Sequence, residues 1–156
     1  MKPARPVSKK NLPALLTKLK KQRKTIVFTN GVFDIIHRGH IDYLHKARSL
    51  GDILIVGMNS DSSVRRLKGK KRPFQKQADR AVIVASLKPV DYVVLFSEDT
   101  PERLIELIRP DTLVKGADYK VSQIVGARFV KSYGGKVRRV RLTAGRSSSK
   151  LFKKLS

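Results

Sequence analysis

Residues 25–40 read TIVFTNGVFDIIHRGH, and this stretch decides the fold. Ile26–Phe28 is a short β-rich run that ends at Asn30-Gly31, a pair that signals a loop. His37-Arg38-Gly39-His40 stands where a helix begins, and the helix runs over residues 40–50 to a stop at Gly51. Residues 52–57 (DILIVG) then form a continuous apolar strand, the kind buried on both faces of a parallel sheet. Strand, loop, helix and strand in this order make one βαβ unit.

The same alternation continues along the chain. Helical patterns over residues 60–68, 79–87, 101–108, 121–133 and 147–155 are interleaved with strands over 91–96, 112–114 and 137–142. Upstream, residues 7–22 place Leu12, Leu15, Leu16 and Leu19 on one helical stripe, with Pro13 suited to the first turn. The expected architecture is α/β, a Rossmann-like parallel sheet of about five strands with helices on both faces. Residues 1–24 read as a basic N-terminal helical segment and 25–156 as the domain proper. Ligands of such sheets bind outside the carboxyl ends of the strands, where strand order reverses.

Composition limits the chemistry. The chain has 156 residues, 40% of them hydrophobic, enough for a packed core. It has no cysteine, which excludes a disulfide scaffold, a thiol nucleophile and a thiolate metal site. No apolar run reaches the length of a membrane span, so a cytoplasmic protein without membrane insertion is expected. Net charge is +23, and all twelve acids fall between Asp34 and Asp118. The acid-free ends supply most of the excess, a pattern that raises the local concentration of anions. Aromatic residues are only 6% and no nucleic-acid-binding signature is present, so no specific nucleic-acid partner is expected.

The loop after the first strand holds neither a G-x-G-x-x-G nor a phosphate-binding P-loop. It holds His37 and His40, three residues apart at a helix start whose free amides favour anions. Gly39 between them removes a side chain where a phosphate would approach. Read alone, the pair is weak evidence and better suits a capping histidine followed by a core histidine. The longer string N-G-x-F-D-x-x-H-x-G-H resembles the cytidylyltransferase-like nucleotidyltransferases. So do residues 51–61 (GDILIVGMNSD), 63–69 (SVRRLKG), Arg72-Pro73, 109–119 (RPDTLVKGADY) and 145–149 (GRSSS). Over about residues 25–155 the order and spacing are most similar to the heptose 1-phosphate adenylyltransferases.

That resemblance implies transfer of AMP from ATP to a sugar 1-phosphate, D-glycero-D-manno-heptose 1-phosphate, with release of pyrophosphate and formation of ADP-heptose. The nucleophile is a phosphate oxygen already ionised at neutral pH, so no general base is required. Alignment of two anions and stabilisation of the leaving pyrophosphate carry the rate. The resemblance assigns His37, His40, Lys68 and Ser148 to catalysis. It assigns Asn30, Gly31, Val32, Phe33, Gly39, Lys115, Gly116, Asp118, Arg146, Ser147 and Ser149 to the nucleotide. Asp34, Asn59, Asp61, Arg72 and Arg80 would face the sugar phosphate, with Asp34 otherwise orienting its loop or approaching a metal. ATP is the expected co-substrate, with Mg2+, and a homodimer is the expected assembly. Val32 replaces the cysteine common in the family, and Leu142 stands where CTP-using members carry an arginine. A glycerol-3-phosphate cytidylyltransferase or another small-phosphate nucleotidyltransferase is the alternative substrate choice. A basic nucleic-acid-binding protein is the alternative of another class.

Overall fold

Among the described residues, six parallel strands form one sheet in the order β1-β4-β3-β2-β5-β6. They are β1 (Arg5–Val7), β2 (Ile26–Gly31), β3 (Ile53–Asn59), β4 (Tyr92–Phe96), β5 (Thr112–Gly116) and β6 (Lys136–Val140). The computed structural model describes residues 5–143 and 147–155. Sequence reasoning expects about five strands; the sixth is β1, whose three residues pair with β4 through Arg5–Tyr92, Pro6–Val93 and Val7–Val94. A run of three is too short to show a period, so only the partner strand reveals it.

Adjacent residues of a strand face opposite sides of the sheet, which explains why the central strands are apolar throughout. On one side Phe28, Ile55, Val94 and Leu113 receive α1 (Leu12–Lys21), α5 (Glu102–Ile108) and α6 (Ala127–Ser132). Leu12, Leu16 and Leu19 of α1 are buried there, as the leucine stripe implies. On the other side Val27, Leu54, Val56, Val93 and Val114 receive α2 (Arg38–Arg48) and α4 (Gln77–Ala85). A short helix α3 (Asp61–Lys68) follows β3, and α7 (Ser148–Leu155) follows β6. Among the described residues, no helix is long and apolar enough to cross a membrane.

Two local departures from the sequence reading matter for the site. The helix expected over 121–133 is a single 3₁₀ turn, Val121–Gln123, then a break, then α6. Gly126 causes the break: its φ is +84°, and a Cβ there would lie 2.7 Å from Ile105 Cδ1. The freed segment turns toward the ends of the strands. Helix α2 starts two residues earlier than expected, with His37 as its N-cap. At the flanks of the sheet, Pro6 sits in β1, while β6 exposes Lys136, Arg138 and Arg139.

Strands β2, β3 and β4 are laid down in one direction across the sheet, and β5 and β6 on the other side of β2. Strand order therefore reverses between β2 and β5, and a crevice opens at their carboxyl ends.

Candidate active site

A cleft of about 500 Å³ occupies that crevice. Its floor is the end of β2, Asn30 to Asp34, together with Asn59 of β3 and Lys115 and Gly116 of β5. One wall is the start of α2, with His37, Gly39, His40 and Tyr43. Lys68 and Arg72 reach it from the segment after β3, and Asp118 and Ser147 from the segments after β5 and β6. Most residues singled out in the sequence thus meet in one place, although they are spread over more than 110 positions.

The turn after β2 has a specific construction. Phe33 takes a positive φ of 50°, a conformation that costs a non-glycine residue about 1–2 kcal/mol. Its ring folds back over Gly31, where an added Cβ would come within 2.8 Å of ring carbon Cε2. Gly31 is therefore required by the ring of Phe33, which in turn lies 5.3 Å from the His40 ring. Beneath them, Tyr43 Oη donates to Val114 O at 3.3 Å and shares a 2.8 Å hydrogen bond with Thr29 Oγ1, fixing α2 against β2 and β5. Burial pushes the Tyr43 phenol up to about 12, so it stays neutral.

His37 and His40 stack with centroids 3.9 Å apart. The His37 backbone N–H donates to His40 Nδ1 at 3.3 Å, which closes the first turn of α2. Burial, and the charge of His37 beside it, lower the His40 imidazole to about 4. A neutral ring whose Nδ1 accepts must carry its proton on Nε2. His40 is thus a neutral donor at any physiological pH, beside helix-start amides that attract anions. The capping role and the cleft role are compatible, since Nδ1 serves the helix and Nε2 remains for a ligand.

Lys115 brings positive charge to the floor of the cleft. Burial lowers its ammonium to about 8, partly opposed by Asp118. Its Nζ also lies 5.3 Å from the Tyr119 ring centroid. Gly116 allows this corner to close, because a Cβ on it would fall 2.5 Å from Asp118 Oδ1.

Arg80 departs from expectation. Expected to face the sugar phosphate, its side chain is instead fully buried beneath the cleft and bonded to protein. Nη1 donates to Val32 O at 2.7 Å and Asn59 O at 2.9 Å, Nε to Gln75 O at 3.0 Å, and Nη2 to Asp61 Oδ1 at 2.7 Å. Asp61, also expected to face substrate, is that ion-pair partner and does not line the cleft. Asp34 is buried and accepts from Arg72 Nε at 3.1 Å and from the backbone N–H groups of Phe74 and Gln75 at 2.8 and 3.0 Å. Its carboxylate orients the basic loop 69–74, a partner the sequence reading did not foresee. Ser149 is exposed and outside the cleft wall; Arg146 and the side chain of Ser148 lie outside the described residues.

Several lining residues carried no motif. Asp99, Thr100 and Pro101 follow β4, and Gln123, Ile124 and Val125 come from the segment misread as helix. The rule that ligands gather at strand ends would have found the first group; only the positive φ of Gly126 explains the second. Three carboxylates line the cleft, and two are engaged: Asp34 with Arg72, and Asp99 with Arg66 at 2.8 Å. Among the described residues, no three His, Asp or Glu side chains gather to hold a metal.

Comparison with known proteins now decides the family, because residues 28–150 match the family model described as cytidylyltransferase-like. The chain belongs to the cytidylyltransferase-like family. It is 52% identical over 144 residues to the bifunctional protein HldE of Geobacter sulfurreducens, covering 92% of this chain and 29% of that protein. It is 59% identical over 120 residues to the bifunctional protein HldE of Helicobacter pylori strain Shi470, covering 77% of this chain and 26% of that protein. The chain thus spans less than a third of the length of these curated relatives. Among solved structures, a lipopolysaccharide core biosynthesis protein from Thermoplasma volcanium superposes with a TM-score of 0.61 at 32% identity, covering 77% of this chain and 97% of that one. A pantoate-beta-alanine ligase from Francisella tularensis shares the fold alone, with a TM-score of 0.61 at 20% identity. In this member of the family, the histidine pair stands where the strand order of the sheet reverses.

Proposed function

We propose that the chain is a heptose 1-phosphate adenylyltransferase, joining ATP and D-glycero-D-manno-heptose 1-phosphate to give ADP-heptose and pyrophosphate. The observation that carries the reading is the stacked pair of His37 and His40 at the start of α2, with a neutral Nε2–H donor, inside the family's cleft. Close relatedness to two bifunctional HldE proteins and to a lipopolysaccharide core biosynthesis protein supports the choice of sugar. Leu142, beside Gly116 at the cleft rim, is an apolar residue where CTP-using members carry an arginine, which favours ATP.

The reaction forms a bond between the sugar-phosphate oxygen and the α-phosphorus and breaks the bond from that phosphorus to the pyrophosphate oxygen. The attacking oxygen is already anionic, so the protein abstracts no proton. Its task is to align two anions and to hold charge that grows on the departing pyrophosphate. His40 would donate through Nε2–H, His37 and the first amides of α2 would face the triphosphate, and Lys68, Lys115 and Ser147 would add donors around it. Arg72 would meet the sugar phosphate. Magnesium would enter as part of MgATP, held by the triphosphate, because two of the three cleft carboxylates are already bound to arginines. A cytoplasmic homodimer belongs to this reading on the family resemblance.

Pyrophosphate release, measured with ATP and CTP against a panel of sugar and polyol phosphates, tests the assignment. Turnover with ATP and heptose 1-phosphate is expected to exceed every other pair. Release with CTP alone would overturn the choice of substrates, and absence of binding to any nucleoside triphosphate with magnesium would overturn the reaction class.

A further inference from the structure

Two elements that each bring a residue to the cleft meet at side chains the chemistry does not require. Phe152 of α7 stacks on Phe74 of the basic loop, with centroids 4.7 Å apart. The Arg72 guanidinium lies 4.9 Å from the centroid of Phe152 and 5.5 Å from that of Phe74, so both rings contact the cation. Arg72 Nε reaches Asp34, which also holds the backbone of Phe74 and Gln75, so the loop side of the contact is tied to the floor of the cleft. On the other side, Ser147 Oγ accepts from the Lys150 backbone N–H at 3.1 Å and caps the turn of α7 that leads to Phe152. Ser147 and Arg72 both line the cleft.

We infer that Phe152 is a positioning residue that docks α7 onto the Arg72–Phe74 pair, so that Ser147 and Arg72 enter the cleft together. The triphosphate end and the sugar-phosphate end of the site are then set as one unit. This rests on the roles proposed above for Ser147 and Arg72. The physics is direct: Phe74 is 53% exposed even with Phe152 against it, and the pair buries ring surface that solvent would otherwise meet. One aromatic pair plus one cation–π contact favours the docked state by about five- to fiftyfold. Affinity for each substrate falls by the fraction of molecules left undocked, whereas turnover of the filled site does not.

Steady-state pyrophosphate release on wild type, Phe152→Ala and Phe152→Tyr is the test. In Phe152→Ala the apparent KM for MgATP and that for the sugar phosphate, each measured with the other substrate well below saturation, should both rise, about three- to thirtyfold, with kcat within about threefold of wild type. Saturating one substrate should lower the KM for the other, since the first ligand then docks α7 for both. Phe152→Tyr, which keeps the ring, should restore both constants. A rise in the KM for MgATP alone would reduce Phe152 to a support for Ser147 and overturn the inference, as would unchanged constants.

A second measurement does not depend on the substrate assignment. The chain contains no tryptophan, so Phe152→Trp reports from one position. Its emission should be shielded from acrylamide, and adding Phe74→Ala should expose it. Quenching as complete as that of free tryptophan in the single variant would refute docking even if wild type failed to turn over heptose 1-phosphate. Shielded emission in an enzyme without that turnover would instead refute the substrate reading and leave the docking intact.

Discussion

Replacing Arg80 separates a residue that holds the site from one that touches substrate. Its guanidinium is fully buried and engages four acceptors on three segments: the turn after β2, the end of β3 with the start of α3, and Gln75 before α4. Arg80→Met leaves the Asp61 carboxylate without its partner at 2.7 Å and three carbonyls without donors. Breaking a buried ion pair from one side costs about 3–5 kcal/mol. For a chain of this size each kcal/mol moves Tm by about 2–4 °C, so a drop of roughly 6–20 °C is expected. Arg80→Lys keeps the charge but loses the planar fork, and should fall between the variant and wild type. Urea unfolding and thermal melts, with and without saturating MgATP, read the stability; KM and kcat are measured below the lowered Tm. A variant that melts within about 2 °C of wild type yet shows a large rise in the KM for the sugar phosphate would refute the reasoning. Arg80 would then reach the ligand, as the sequence suggests.

Other consequences follow from the same geometry. His37→Ala and His40→Ala should each lower kcat at least tenfold with little change in Tm, on the usual scale of groups that stabilise developing charge; normal turnover in both would remove the pair from the mechanism. His40 sits at about 4 when folded and near 6.5 when unfolded, so between those values the unfolded chain binds more protons. Stability should therefore rise with pH across that window and gain nothing more from His40 above it, and His40→Gln should flatten the slope in denaturant titrations. Lys115, lowered to about 8, is partly deprotonated in the free enzyme near that pH. An incoming triphosphate favours its charged form, so MgATP binding near pH 8 should take up protons, an uptake that calorimetry in buffers of different ionisation enthalpy detects and that Lys115→Met should abolish. Across that range affinity should weaken as pH rises.

The fold was legible where local pattern and burial agree. β2, the loop after it and α2 combine an apolar run, an Asn-Gly and a capped helix start, and the structure reproduces the unit with shifted bounds. β1 was not legible because three residues carry no period. The segment 121–133 misled because Val121, Ile124 and Val125 suit a helix by side chain, while Gly126 breaks it by backbone. In the cleft, the histidine pair stood out by its spacing at a helix start, and Lys68, Arg72 and Ser147 came from the family resemblance. Arg80 shows what a sequence conceals: an arginine reads the same whether it faces a phosphate or lies beneath the floor. Its burial depends on three segments far apart in the chain. Tyr43 and Phe152 were missed for a similar reason, since an aromatic at helical spacing reads as core.

The flanks of the sheet give part of the terminal charge a structural purpose. A parallel sheet ends in two strands whose outer backbone groups invite another chain to pair. Pro6 removes an amide donor from one flank, and on the other Lys136, Arg138 and Arg139 line the margin with like charges that repel an identical copy. Strand-to-strand growth between molecules is opposed at both borders, and any self-association is directed to the helical faces.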